Sequence, residues 1–177
     1  MNPIIDGILV MEGNYSNNGK DKGGLTHWGI TEAVARAHGY SGSMQDLSRI
    51  EAYAILESDY WIKPGFEHIA QISYPISFEL CDAAVNIGTH YPCTWLQRWL
   101  NVFNREEKKY NNIKVDGRIG PQTLAALEHF LSCRGKEGES TLVKALNCSQ
   151  GAWYLDITEK RKENEEFIYG WIKNRIT

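Results

Sequence analysis

Two carboxylates and a hydroxyl fall close together near the start of the 177-residue chain: Glu12, Asp21 and Thr26, with gaps of eight and four residues between them. Two acids in different surroundings can divide the work of breaking a glycosidic bond. One donates a proton to the leaving oxygen, while the other stays ionised, steadying an oxocarbenium-like centre or activating water. Glu12 suits the acid role if its pocket holds it protonated above the ordinary carboxyl value of about 4.3. A desolvating wall does this, and Tyr15 and Trp28 are the nearby rings in sequence. Asp21, in a polar glycine-rich stretch, suits the charged role, and Thr26 a hydrogen bond to the attacking water. Each has a plainer reading: Asp21, between Lys20 and Lys22, as a turn residue; Thr26 as a strand-end hydroxyl; Trp28 as core.

The surrounding pattern gives these residues a frame. Asn2 and Pro3 make a helix start, a capping side chain followed by proline at the first helical position. Ile4, Ile5, Ile8 and Leu9 then form one apolar face, on which Glu12 follows Ile8 by one turn. Gly13 is a stop signal. An acid near the negative end of the helix dipole is unfavourable, which argues for function at Glu12. Residues 14–30, with Asn-Asn-Gly and Gly-Gly, predict a small twisted β-ribbon.

Helical signals dominate from there on. Thr31 caps a short helix that Gly39 ends, and Ser48 with Glu51 has capping-box spacing. Pro64-Gly65 stops that second helix. Ser73 or Tyr74, with Pro75, starts a helix apolar nearly all round, predicted to be the central buried one. Asn86, polar within it, must be satisfied if buried; it either bridges structural elements or touches an N-acetyl group. Tyr91-Pro92 starts a helix bearing Trp95, Leu96, Trp99, Leu100 and Phe103. Residues 104–114 are the loosest stretch, and Asp116 to Pro121 is a tight turn into a further helix. A second polar connection is expected over 135–138, with helix over the last forty residues. The predicted class is mainly α with one small β-ribbon after the first helix and an all-helical C-terminal half.

Composition removes several function classes. The net charge is −3 and the pI about 6.0, so no phosphate-tracking surface and no nucleic-acid partner is expected. The 42% hydrophobic content supports a packed core rather than disorder. Six Trp and nine Tyr are more rings than usual, and carbohydrate sites use exposed rings as stacking platforms. No segment approaches membrane-spanning length, and the first dozen residues lack a basic region and a cleavage site. Synthesis in the cytoplasm without a classical signal peptide is therefore the expectation. Cys81, Cys93, Cys133 and Cys148 form no Cys-x-x-Cys pair, so reduced, buried helical thiols are expected and no metal or other cofactor.

The motifs, taken together, resemble glycoside hydrolase family 108, the N-acetylmuramidases of the lysozyme-like superfamily. The resemblance rests on Glu12-Gly-Asn-Tyr15, on Asp21-Lys-Gly-Gly-Leu-Thr-His-Trp-Gly-Ile-Thr31, on Glu79 to Gly88 and on Trp95 to Leu100. Val115 to Thr123 is similar to the Asp-Gly-x-x-Gly-x-x-Thr signature of that family's peptidoglycan-binding part. Asn14 stands where the family more often has Gly. The Glu12, Asp21, Thr26 order also looks like the triad of phage-type lysozymes, whose second gap is usually one residue longer. The resemblance implies a lysozyme-like α+β fold, a catalytic part over 1–90 and a helical peptidoglycan-binding part over 91–177, packed as one unit. It implies cleavage between N-acetylmuramic acid and N-acetylglucosamine in peptidoglycan glycan strands, in the periplasm or cell wall. The group nearest in motif is tied to typhoid-toxin export and related to phage endolysins, so a holin or secretion partner is implied. Two rivals share the residues: a lytic transglycosylase, and a non-catalytic wall-binding accessory of secretion.

Overall fold

The structure, a computed structural model, describes residues 2–11, 26–105 and 108–176. They form two compact units, residues 1–63 and 64–177.

The first unit opens with α1 (Pro3–Met11), whose start is capped as expected: the Ile4 amide donates to Asn2 Oδ1 at 3.0 Å. Ile4, Ile5 and Leu9 are buried. They pack α1 on α3 (Arg49–Glu57), and Arg49 Nη2 donates to Asp6 Oδ1 at 2.6 Å across the same contact. Between these helices lie β1 (Thr26–His27), β2 (Ile30–Thr31) and α2 (Glu32–Ala37). The strands are antiparallel, pairing Thr26 with Thr31 and His27 with Ile30. Thr31 caps α2, and Gly39 follows it at φ +84°. Ser48 and Glu51 form the expected reciprocal capping box at the head of α3, which continues into one π-helical turn, Ser58–Ile62.

The second unit is helical. It runs α4 (Phe66–Ile72), α5 (Tyr74–Ile87), α6 (His90–Phe103), α7 (Pro121–Lys160) and α8 (Glu165–Arg175). As the pattern predicts, α5 is the hub: it packs on α4, α6 and α7 and buries Ile76, Leu80, Ala83 and Ala84. Its other side carries exposed Tyr74 and Phe78.

Three expectations need correction. Residues 135–138 do not form a connection. The chain stays helical through α7 with one kink at Gly135, which takes φ 57° and ψ −145°, a conformation open essentially only to glycine. Glu139, just past the kink, accepts a hydrogen bond from Ser73 Oγ at 2.7 Å and an ion pair from Lys136 at 2.9 Å, fixing the new helical start. Residues 104–114 do lie in the connection between α6 and α7, as expected, but they are not loose where they are described. Buried Asn104 accepts from the amides of Lys109 and Tyr110, both at 3.0 Å, and Asn101 accepts from the Ile113 amide at 2.8 Å. The cysteines are all free and helical, but only Cys81 and Cys93 are buried; Cys133 and Cys148 face outward on α7.

Candidate active site

Of the sequence-derived site residues, Glu12, Tyr15 and Asp21 lie outside the described residues. The chain reaches Glu12 directly from Met11, the last residue of α1. That helix is fastened at its start, where the Asn2 amide donates to the Tyr53 hydroxyl, which itself donates to Glu57 Oε1 at 2.9 Å.

Thr26 and Trp28 share the hairpin. Trp28 and Gly29 form its two-residue turn at φ 56° and φ 74°, the pair of positive angles that a type I′ turn requires. For tryptophan this conformation is strained, at a cost on the order of 1 kcal/mol. The side chain secures it: indole Nε1 donates to the Leu47 carbonyl at 2.9 Å, and the ring stacks on His27 with centroids 5.1 Å apart. His27 Nδ1 is in turn 2.8 Å from the Met44 carbonyl. Trp28 is thus a half-buried ring with a fixed pose, able to wall a pocket without adjusting. Thr26 is half-buried and paired through the backbone to Thr31.

Asn86 belongs to the second unit, near the end of α5. It is exposed, and its amide donates back to the Asp82 carbonyl at 2.8 Å. The buried-polar condition attached to it therefore does not arise. Among the described residues, no group of three His, Cys, Asp or Glu side chains is placed to hold a metal ion, and no helix is long and apolar enough to cross a membrane.

The second unit holds polar structure that the residue types alone did not reveal. Gln97, buried on α6, accepts from the amides of Asp116 at 3.0 Å and Gly117 at 2.9 Å. It also donates to Asp116 Oδ1 at 3.0 Å, the Arg118 carbonyl at 3.0 Å and Thr123 Oγ1 at 3.2 Å. The Asp116-to-Thr123 signature is thereby an architectural device, a turn wrapped around one glutamine. The only sequence signal was a polar residue inside the Trp95–Leu100 apolar run.

Comparison with known proteins divides the chain near residue 90 rather than at the 63/64 boundary of the compact units. Residues 5–88 match the glycosyl hydrolase 108 family, and residues 91–176 match the predicted peptidoglycan domain. Nine chains of solved structures match. One is the structure of Brucella abortus SagA, with a TM-score of 0.70 at 22% identity, covering 97% of this chain and 86% of that one. No curated protein matches the sequence. The fold is mainly helical and lysozyme-like, with a two-stranded ribbon after the first helix.

Proposed function

Residues 5–88 of this chain match the glycosyl hydrolase 108 family, and from that premise we propose that Glu12 is the general acid that cleaves the muramic acid–glucosamine bond. The chain is a glycosidase acting on peptidoglycan, of the muramidase type. What carries the residue assignment is that Glu12, Asp21 and Thr26 fall, in catalytic order, inside the family match over residues 5–88. Residues 1–90 are the catalytic part and residues 91–177 the wall-binding part.

The steps follow from glycosidic chemistry. Glu12 gives its proton to the leaving oxygen as the bond to the muramic anomeric carbon lengthens. Positive charge then spreads over that carbon and its ring oxygen. Asp21, ionised, faces that charge or takes a proton from water, and Thr26 holds the water by a hydrogen bond. Trp28 and Tyr15 desolvate Glu12, raising its proton affinity toward neutral pH. The fixed pose of the Trp28 indole supports this role, since a wall that moved would readmit water. Asn86, exposed at the end of α5, offers its amide to an N-acetyl group.

Digestion of purified sacculi followed by mass spectrometry of the products tests the reaction. Reducing muramic ends are expected. Anhydro-muramic ends would replace hydrolysis with lytic transglycosylation. Glu12→Gln should lower the cleavage rate on the order of 10³-fold, and Asp21→Asn should slow it severely. A near-normal rate for either variant removes that residue from the mechanism. The biological use we assign is local opening of the cell wall for protein or toxin secretion or for lysis, with a holin or secretion apparatus giving access to the periplasm.

A further inference from the structure

Between α6 and α7, within the second unit, runs an open groove of about 540 Å³, a volume within the range of small-ligand sites. Four aromatic side chains line it: Tyr91, Trp95 and Trp99 from α6 and Trp153 from α7. The α6 rings recur at helical spacing, so they lie in one row along the groove. Tyr91 is 44% exposed and lies 5.7 Å, centroid to centroid, from half-buried Trp153. Trp99 is locked, its indole Nε1 donating to Ser149 Oγ at 2.9 Å. A ring held this firmly at a surface loses little freedom when a ligand stacks beside it.

One cation stands in the row. Arg98 lines the groove, is exposed, and has no hydrogen-bond or ion-pair partner among the described residues. Aromatic faces suit the axial C–H faces of pyranose rings, and a guanidinium suits a carboxylate, which it can hold by two parallel hydrogen bonds. A muramic acid residue carries both partners, a pyranose face and, through its lactyl group and stem peptide, carboxylates. We propose that this groove is a wall-binding subsite. It takes an N-acetylated glycan segment on Tyr91 and Trp153 and a stem-peptide carboxylate on Arg98. The proposal rests on peptidoglycan being the substrate, and it names a contact for it within the second unit.

The test titrates the full-length protein, followed by tryptophan fluorescence and calorimetry, with two probes. One is the disaccharide GlcNAc-MurNAc carrying a tetrapeptide, which holds no internal muramic–glucosamine bond to cleave. The other is an uncharged GlcNAc oligomer. Trp153→Ala should weaken both probes about tenfold or more. Arg98→Ala should weaken the muropeptide about fivefold and leave the GlcNAc oligomer unchanged. Arg98 is exposed, so its variant remains informative should Trp153→Ala fold poorly. Wild-type affinity of Arg98→Ala for the muropeptide overturns the carboxylate contact, and wild-type affinity of a folded Trp153→Ala overturns the subsite. Sedimentation showing a wild-type dimer that Trp153→Ala makes monomeric also overturns it, because a second copy would then fill the groove. A chain that binds muropeptide through Trp153 yet releases no sugar from sacculi would sink the hydrolase reading and leave the subsite standing.

Discussion

Glu79 is the most exacting single residue in the second unit. It sits in the middle of α5 with 6% of its surface exposed, and its Oε1 finds no hydrogen-bond partner among the described residues. Burial pushes its carboxyl up to about 7; a hydrogen bond from Asn147 works against that shift and the nearby Asp82 charge adds to it. The unfolded chain has no such burial, so its Glu79 titrates near the ordinary value of 4.5. Between those two values the native state holds the extra proton. Stability from this residue is therefore full below about 4.5 and is lost as pH rises through about 7. Glu79→Gln should remove that dependence and exceed the wild type by on the order of 2–3 kcal/mol at about pH 8. Urea midpoints at about pH 5 and about pH 8 measure it. A stability difference between variant and wild type that is equal at both pH values would show that burial of the charge is not what matters.

At the scale of elements, the second unit depends on a turn held by a side chain from another helix. Deleting the Gln97 side chain leaves the Asp116 and Gly117 amides without their acceptor, and Gln97→Ala should cost about 2–4 kcal/mol in denaturant unfolding. Gly117 and Gly135 separate two reasons for glycine. Both have positive φ, but a Cβ on Gly117 would meet His90 Nδ1 at 2.4 Å, whereas one on Gly135 meets nothing within 4 Å. Gly135→Ala should cost about 1–2 kcal/mol from backbone strain alone, and Gly117→Ala more; equal losses would mean that His90 yields freely. These elements also show what was legible in advance. The Asn2 cap, the Ser48–Glu51 box and the Ser73-Pro75 start were readable because cause and effect lie within four residues of each other. The Asp116 turn was visible but its reason was not, since Gln97 is 19 residues away from Asp116. The 135–138 stretch misled for the same reason: two glycines and two charged residues look like a loop. The bond from Ser73, 66 positions distant, is what anchors the helix there. In the candidate site, types and order of residues were legible. The Trp28 pose was not, because its indole acceptor, Leu47, lies 19 residues on.

For the molecule as a whole, charge constrains how it can hold its substrate. The net charge is −3, and peptidoglycan carries carboxylates on its stem peptides, so long-range electrostatics oppose rather than steer the encounter. Attachment must then come from short-range contacts, and the rings of the α6–α7 groove are the apolar surface suited to it. Arg98 adds one local charge contact whose reach salt would shorten to about 8 Å at physiological ionic strength. Stacking is insensitive to salt, and screening weakens the general repulsion together with the single attraction. Binding of Glu12→Gln to sacculi should therefore change less than about threefold between low salt and about 0.3 M NaCl, in contrast to the steep losses of a polycationic binder. A pull-down across that range measures it, with the variant used so that the sacculi survive the assay. A tenfold loss of binding would mean that charge contacts dominate and would move the search for the wall-holding surface to the basic side chains of the chain.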